Sequence, residues 1–253
     1  MMVPDKDPGR SIVTAAMLVI GDEILSGRTK DKNIGFLADH LTAIGIQLKE
    51  VRIVPDEEDK IVAGLNALRT SYDYVFTSGG IGPTHDDITA DAVAKAFGVG
   101  IDFDPRAVAI MRPHYESRGV EFTPGRMRMA RIPSGATLVD NPVSKAPGFM
   151  LENVIVMAGV PNIMQAMLLA VTPMLRTGAK MVSRTLTVRR PESEIAELFA
   201  GVQKEFPDVP MGSYPFSDEA GYGANLVLRG VDAARVEAAE GVLLGRLTGA
   251  GMV

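Results

Sequence analysis

The segment TSGGIGPTHDDIT, Thr77–Thr89, combines residue types that could hold a phosphate group together with a metal ion. Its glycines allow main-chain N–H groups to approach an anion closely, and the helix that follows would add the positive end of its dipole. The adjacent acids Asp86 and Asp87 would repel a bare phosphate at the same helix start. The conflict disappears if one acid caps the helix and the other holds a divalent cation that bridges to phosphate oxygens, because Mg²⁺ prefers oxygen ligands.

Other interpretations of this segment stay open at the level of the residues. Both acids could simply accept hydrogen bonds from helix N–H groups, and His85 beside them could transfer a proton. The segment is neither a dinucleotide-binding fingerprint, since the G-x-G-x-x-G spacing is absent, nor a P-loop, since no Gly-Lys-Ser/Thr follows. It therefore indicates metal-assisted binding of a phosphorylated small molecule. The candidate residues within it are Ser78, Gly79, Gly80, Gly82, Thr84, Asp86, Asp87 and Thr89.

Three more loops carry residues that could join such a site. GDEILSG, Gly21–Gly27, offers two further carboxylates, although an ordinary helix start explains them equally well. In NPVSKAPGF, Asn141–Phe149, Lys145 could neutralise phosphate or could simply be solvated. AGVPN, Ala158–Asn162, leads into another predicted helix. The candidate residues in and after these loops are Gly21, Asp22, Glu23, Ser26, Asn33, Asn141, Ser144, Lys145, Gly159 and Pro161.

The strands that would position these loops are predicted at Val13–Ile20, Ile46–Val54, Asp73–Ser78 and Val154–Met157. Apolar residues at helical spacing between them predict helices, so the chain alternates strand and helix. This alternation is typical of a three-layer α/β/α fold with right-handed crossovers and a mostly parallel sheet. Ligands of such sheets bind beyond the carboxyl ends of the strands. The loops named above, together with VPDEED at Val54–Asp59, should therefore converge.

Local signals indicate where several helices begin and end. Gly98 suits a left-handed C-terminal cap, and Asp56 is expected to cap the helix after the second strand. Asp104, directly before a proline, should start another helix. Residues 119–150 look less regular, with a short helix expected at Thr123 and a loop across NPVSKAPGF.

The pattern changes near residue 178. Beyond it the predicted elements follow the order β-α-β-β-α, which is too short to join the first sheet and predicts a small α+β domain. The predicted organisation is a flexible tail at residues 1–12, an α/β domain at residues 13–177 and the small domain at residues 178–253.

Composition restricts the classes of function. The chain has 253 residues, no cysteine and a formal net charge of -5, so thiolate metal sites are excluded and a large nucleic-acid footprint is not expected. The apolar run Ile12–Ile20 is interpreted as a buried strand rather than a signal peptide, because no small-residue cleavage site follows. No apolar run approaches the ~20 residues that span a bilayer. We expect a cytoplasmic protein without nucleic-acid or membrane partners.

Four motifs in the same order resemble the competence/damage-inducible protein A family, CinA: GDEILSGRTKDKN, TSGGIGPTHDDIT, NPVSKAPGF and AGVPNIM. The N-terminal domain of that family is similar to the MoaB/MogA-like molybdopterin-binding fold of molybdenum cofactor biosynthesis. MGSYPF, Met211–Phe216, resembles the small domain that follows in this family and in eukaryotic FAD synthases. CinA proteins often continue into a nicotinamide mononucleotide deamidase domain, and because the chain ends at Val253 we do not expect that activity.

The resemblance implies a metal-dependent pyrophosphatase that hydrolyses a nucleotide diphosphate such as ADP-ribose or FAD, with Mg²⁺, Mn²⁺ or Co²⁺ as cofactor. The alternative is a protein that binds molybdopterin or a nucleotide, with adenylyl transfer or without turnover. In the hydrolytic interpretation, Asp86 or Asp87 positions the metal ion together with Asp22. The fold family also implies a homo-oligomer, either a dimer or a trimer. Residues that would orient the phosphates or contact the nucleotide are Ser78, Gly79, Gly80, Thr84, Asn141 and Ser144.

Overall fold

The structure, a computed structural model, describes residues 12–219 and 221–253. The tail predicted for residues 1–12 lies outside the described residues except for Ile12. The described residues form two compact units, residues 12–178 and 179–253. Among them, no helix combines the length and the apolar composition needed to cross a lipid bilayer.

The strands of the first unit are β1 (Val13–Ile20), β2 (Ile46–Val54), β3 (Tyr74–Ser78), β4 (Ile101–Phe103), β5 (Arg131–Pro133), β6 (Thr137–Val139), β7 (Gly148–Leu151) and β8 (Val154–Met157). Six of them form one sheet in the order β2-β1-β3-β8-β7-β6. Strands β2, β1, β3 and β8 are parallel, whereas β7 and β6 continue the sheet in antiparallel orientation. Strands β4 and β5 pair separately and antiparallel.

The helices of the first unit are α1 (Asp22–Leu25), α2 (Asn33–Ala43), α3 (Glu58–Arg69), α4 (Thr89–Phe97), α5 (Pro105–Glu116), α6 (Pro124–Arg128) and α7 (Pro161–Val171). They cover both faces of the sheet, as alternate residues of β1 show. Met17 and Val19 lie in an apolar cluster with α2 and α7. Leu18 and Ile20 lie in a second cluster with α3, α4 and α5. A strand covered on both faces is a nearly continuous apolar run, as β1 is. The predicted three-layer α/β/α fold with a mostly parallel sheet is confirmed.

The second unit contains β9 (Val182–Val188), α8 (Glu192–Glu205), β10 (Met211–Asp218), β11 (Gly221–Gly230) and α9 (Ala233–Gly249). Its three strands form an antiparallel sheet in the order β10-β11-β9. One apolar cluster joins the sheet to both helices, with Leu226 and Leu228 of β11, Val202 of α8 and Leu243 of α9 fully buried. The predicted β-α-β-β-α pattern is confirmed.

Two predicted helix caps are wrong. No side chain caps α3, and the Asp56 carboxylate instead accepts a hydrogen bond from the Asp22 N–H at 2.9 Å. The N-cap position of α4 is Ile88, so neither Asp86 nor Asp87 caps that helix. In both cases an acid two or three residues before a helix has the right type for a cap but lies outside the position that caps use.

Residues 119–150 are more regular than predicted, since they include α6, β5, β6 and the start of β7. The predicted loop NPVSKAPGF ends two residues early, because Gly148 and Phe149 already belong to β7. Gly148 has to be glycine, as a Cβ atom there would lie 2.2 Å from the Val156 carbonyl oxygen of β8. The helix predicted at Thr123 is confirmed, with the Thr123 side chain accepting a bond from the Arg126 N–H. Strands of three residues are too short to show a period, which is why they were missed.

Candidate functional site

A cleft of about 600 Å³ lies at the carboxyl ends of the four parallel strands. Its walls include the positions that end or directly follow β1, β2, β3 and β8, represented by Ile20, Asp56, Gly79 and Ala158. The loops meet there because parallel strands present their carboxyl ends at the same edge of the sheet. The convergence expected from the sequence is therefore observed.

The cleft brings together many of the predicted site residues. Those that line it are Glu23, Gly79, Gly80, Gly82, Asp86, Asp87, Asn141, Ser144, Gly159 and Pro161. Those outside its lining are Gly21, Asp22, Ser26, Asn33, Ser78, Thr84, Thr89 and Lys145. Several residues of the second group hold residues of the first group in place through hydrogen bonds.

Thr89 fixes the shape of the glycine-rich loop. Gly79 and Gly80 have φ values of 108° and 67°, and Cβ atoms there would lie 2.2 Å from the Ile20 carbonyl oxygen and 2.1 Å from Thr89 Oγ1, respectively. The Thr89 hydroxyl donates to the Gly79 carbonyl, and the Thr89 N–H donates to the Gly80 carbonyl, both at 3.0 Å. The Gly79 N–H donates to Met157 of β8. Thr89 is fully buried, so it supports the loop and does not face a ligand.

The next three residues of the loop present unused donors. Gly80, Ile81 and Gly82 all line the cleft. Their N–H groups make no hydrogen bond to any other described residue. Successive free N–H groups at a glycine-rich turn are the main-chain arrangement that binds anions. This part of the cleft can therefore hold a phosphate oxygen.

Four carboxylates, those of Glu23, Asp56, Asp86 and Asp87, line the same cleft. The pKa of Asp56 is raised, first because the side chain is partly buried and further by the negative charges of Asp22, Glu23 and Asp86. The hydrogen bond from the Asp22 N–H opposes this increase. Asp56 is the acid that the sequence-based interpretation had assigned to a helix cap. The crowding of acids means that positive charge brought to this side of the cleft would be stabilised.

Thr84 organises the two adjacent acids. Its N–H and its hydroxyl donate to Asp87 Oδ2 at 2.8 and 2.6 Å. The Thr84 hydroxyl is also the main cause of the lowered pKa of Asp86. Because a hydroxyl has one proton, it serves one of the two acids at a time. His85 between them is almost completely exposed, with its Nδ1 4.0 Å from Asp86 Oδ1.

The acids have the chemistry expected for a divalent cation, since carboxylate oxygens are the preferred ligands of Mg²⁺ and similar ions. The repulsion that raises the pKa of Asp56 is the kind that a bound cation would relieve. Within the described parts of the chain, no three acidic or histidine side chains are already placed to hold one ion together. A metal ion held by Asp22, Asp86 and Asp87 stays a prediction.

Asn141 supports its own loop. Its Oδ1 accepts bonds from the N–H groups of Val143 and Ser144, both at 3.1 Å. Its Nδ2 donates to Ser144 Oγ at 2.7 Å and to the Ala146 carbonyl at 2.8 Å. Lys145 has a φ of 63° and donates its N–H to the Asn141 carbonyl. Asn141 and Ser144 line the cleft, whereas Lys145 does not. Since both ends of the Asn141 amide are bonded within the loop, Ser144 is the residue whose hydroxyl can still donate to a ligand.

Asn33 connects the start of α2 to two loops at the cleft. Its Nδ2 donates to Ser78 Oγ and to the Gly159 carbonyl, both at 2.8 Å. Because a carbonyl can only accept, the orientation of the amide is determined. Asn33 Oδ1 is buried and has no partner among the described residues. Asn33 and Ser78 line a cavity of about 50 Å³ that shares Glu23 with the cleft, so Oδ1 is an unused acceptor beside the site.

Sequence reasoning missed the apolar wall of the cleft. It is formed by Ile81 of the glycine-rich loop, Tyr115 of α5, Met129 after α6 and Ile163 of α7. The spacing of Tyr115 on α5 is typical of a buried helix face, so the sequence pattern does not mark it as a cleft residue. The Tyr115 ring also stacks on Phe122. The aromatic ring of Tyr115 beside aliphatic side chains suits the apolar faces of a ring system, so the cleft can take a ligand with both a ring and a phosphate.

Comparison with known proteins gives matches over both units. Residues 16–177 match the family described as probable molybdopterin binding domain, and residues 180–253 match the FAD synthase middle domain. A protein of Pyrobaculum arsenaticum is 37% identical over 216 residues, which cover 82% of this chain and 82% of that protein. A CinA-like protein of Desulfosudis oleivorans is 36% identical over 209 residues, which cover 78% of this chain and 51% of that protein.

A solved structure agrees with these matches. The protein CinA, of unknown function, from Thermoplasma acidophilum has a TM-score of 0.60 and 34% sequence identity to this chain. The similarity covers 64% of this chain and 98% of that one. The four motifs noted in the sequence all lie within the residues that match the family. The chain therefore belongs to the family of probable molybdopterin binding domains and is CinA-like.

Proposed function

We propose that this protein is a metal-dependent pyrophosphatase that acts on a nucleotide diphosphate such as ADP-ribose or FAD. The observation that carries the proposal is the combination, in one cleft, of free main-chain donors at Gly80–Gly82 with the carboxylates of Asp86 and Asp87. The donors suit phosphate oxygens, and the acids suit a cation that neutralises them. Without a cation, the acids would repel a pyrophosphate bound at the donors, so the two groups suit this ligand only when a cation is present.

Different residues would bind the phosphates and the cation. The Gly80–Gly82 N–H groups would orient the phosphates, and Asp86 and Asp87 would hold the cation together with Asp22. Such a cation, when bound, lowers the pKa of a bound water and stabilises charge on the phosphorus oxygens. The hydrogen bonds from Thr84 keep Asp87 Oδ2 in position and leave Oδ1 without a hydrogen bond from the described residues.

The size and lining of the cleft favour a nucleotide over a simple phosphate ester. Its volume of about 600 Å³ lies within the usual range of small-molecule sites, roughly 300–1,000 Å³. The apolar side chains of Tyr115 and Met129 offer a surface for a base or a flavin ring. The match of residues 180–253 to the FAD synthase middle domain supports including a flavin nucleotide among the substrates to test.

The test is a screen of ADP-ribose and FAD against Mg²⁺, Mn²⁺ and Co²⁺ with identification of the products. We expect AMP among the products, and we expect Asp87→Asn and Asp86→Asn each to lower kcat on the order of 100-fold, because metal-bound charge stabilisation is worth several kcal/mol. Asp39→Asn, the same change at an exposed acid of α2 outside the cleft, is the matched control. Turnover that is unchanged in both cleft variants would remove the metal role of the two acids.

A second candidate is a molybdopterin- or nucleotide-binding protein of molybdenum cofactor biosynthesis, favoured by the family match of residues 16–177. It would transfer adenylate to the pterin or bind its ligand without turnover. Formation of an adenylylated pterin from ATP would identify the first form. Tight binding by calorimetry with no product under any metal would identify the second. A homo-oligomer is a separate prediction, which light scattering would test.

A further inference from the structure

A small cavity of about 20 Å³ adjoins the cleft across the glycine-rich loop. Its floor and walls include α4, the end of α6 and β5. The residues that line both this cavity and the cleft are Gly80, Ile81, Gly82, Asp87 and Met129. The free N–H donors of Gly80–Gly82 therefore lie at the border between the two cavities.

Two cationic side chains line the small cavity, those of Arg128 and Arg131, and within the described residues the cleft lining adds no lysine or arginine. Arg131 is already paired, since its two terminal nitrogens bond both oxygens of Asp91 at 2.8 and 2.7 Å. Arg128 differs. In the part of the chain that the structure describes, its guanidinium makes no hydrogen bond or ion pair, and its Nε is buried without a partner.

The unpaired guanidinium of Arg128, in the lining of the small cavity, is a candidate to bind a ligand. The Arg128 side chain is only partly buried, but its Nε is enclosed. A buried charged donor without a partner is costly, and native proteins rarely leave such groups unsatisfied. The lining of the small cavity holds two acids, Asp87 and Asp91. Asp91 is paired with Arg131. Thr84 donates two bonds to Asp87 Oδ2, and no ion pair between described residues links either acid to Arg128. A negatively charged group at the glycine-rich loop would satisfy Arg128, because a guanidinium binds phosphate with two parallel hydrogen bonds.

We propose that Arg128 binds the ligand phosphate held at Gly80–Gly82 and makes the cleft specific for phosphorylated over unphosphorylated ligands. The inference rests on the proposed function only in assuming that a phosphate occupies this loop. It does not require that the phosphate be part of a bond that is hydrolysed. With four carboxylates in the cleft lining and a formal net charge of -5, an anion needs a local cation of this kind.

The experiment measures binding of AMP and adenosine by calorimetry in the presence of Mg²⁺. AMP carries a phosphate but no pyrophosphate bond, so its binding is measurable whether or not the protein is a hydrolase. We expect Arg128→Gln to weaken AMP binding about 10- to 100-fold, the range for hydrogen bonds between charged groups. Adenosine binding should stay unchanged, and Arg128→Lys should fall between Arg128→Gln and the wild type.

Arg118→Gln is the matched control, since Arg118 is exposed and lines neither cavity. It should bind AMP and adenosine as the wild type does. The inference is overturned if the wild type binds AMP no more tightly than adenosine, if Arg128→Gln binds AMP normally, or if it loses both ligands equally. An AMP effect at Arg128 without any hydrolysis of ADP-ribose or FAD would keep this inference and remove the pyrophosphatase proposal.

Discussion

At the scale of single residues, Asp56 combines a favourable and an unfavourable interaction. Its carboxylate accepts the Asp22 N–H at the start of α1, where main-chain donors have no partner within the helix. Partial burial raises its pKa, and the charges of Asp22, Glu23 and Asp86 raise it further. The hydrogen bond needs only an acceptor oxygen, whereas the repulsion needs the negative charge. The two effects can therefore be separated by substitution.

We predict that Asp56→Asn stabilises the protein and that Asp56→Ala destabilises it at pH 7 without divalent cations. The amide keeps an acceptor for Asp22 and removes the repulsion, a gain of roughly 0.5 kcal/mol. Alanine removes both, and a lost acceptor at a helix start costs about 1 kcal/mol. Urea unfolding of the three proteins measures the difference. If Asp56→Asn were as unstable as Asp56→Ala, the carboxylate charge itself would be the stabilising feature.

At the scale of elements, the connection from β3 to α4 depends on a close approach between two strand ends. Gly79 lies against the end of β1 and donates its N–H to Met157 at the end of β8. Gly159, in the loop after β8, adds to this packing, since a Cβ there would lie 3.2 Å from the Gly79 Cα. The glycine-rich loop is thus part of the sheet edge as well as part of the cleft.

We predict that Gly79→Ala lowers the free energy of unfolding by about 3 kcal/mol. The alanine would have to keep the positive φ of 108°, and its Cβ would clash with the main chain of Ile20. Gly27→Ala is the control. Gly27 also has a positive φ, 72°, but nothing lies within 4 Å of its added Cβ, so only the conformational cost of about 1 kcal/mol applies. Equal losses in the two variants by urea unfolding would contradict the role given to the clash.

In the second unit, a bidentate ion pair links the segment between α8 and β10 to the first turn of α9. Arg235 bonds both oxygens of Asp208 at 2.8 and 2.7 Å. This contact, with smaller help from the Asp208 N–H, lowers the pKa of Asp208 from 3.8 to about 2. A lowered pKa in the folded state means that the stability from this pair is present above the unfolded pKa and is lost as the pH falls through the folded pKa.

We therefore predict that the stability advantage of wild type over Asp208→Asn is constant above about pH 5 and disappears as the pH falls from about 4 to 2. The amide cannot titrate, so the variant lacks this part of the pH dependence. Urea midpoints at pH 6, 5, 4, 3 and 2 measure the advantage. If the difference in urea midpoint between wild type and Asp208→Asn were the same at every pH down to 2, the ion pair would not contribute.

At the scale of the whole molecule, the residues that line the cleft and the adjoining cavity all belong to the first unit, residues 12–178. That unit has apolar clusters on both faces of its sheet, and the second unit has a cluster of its own. Each unit thus has the core that an independent domain requires.

We predict that a fragment of residues 12–178 folds and binds AMP in Mg²⁺ within about twofold of the full chain, since a ligand site depends on the residues that contact it. Circular dichroism checks folding, and calorimetry measures the affinity. A folded fragment with much weaker AMP binding would mean that the second unit contributes to the ligand site, contrary to this expectation.

Much of the framework could be predicted because it depends on local signals. In the run Val13–Ile20 every residue except Thr14 is apolar, which is typical of a strand covered on both faces. Gly98 ends α4 in the left-handed conformation, and Asp104 caps α5 as its position before a proline indicated. Once the strands were predicted to be parallel, the meeting of their carboxyl-terminal loops followed from geometry. The short strands β4 to β7 could not be predicted, because they are too short to show a period and lack an uninterrupted run of apolar β-branched residues like the Val-Ile-Val that identified β8.

The sequence by itself therefore determined the layers, the sheet direction and the edge at which the site lies. Only the tertiary structure decided which groups are used and which are free. Asp56 bonds a residue 34 positions away, and Thr89 and Asn33 hold loops instead of a ligand. Arg128 is of a type common at the C-terminal ends of helices. It stands out because Asp91, which lines the same cavity, is paired with Arg131. Such pairings depend on distances between segments far apart in the chain, which local preferences for helix, strand or turn do not contain.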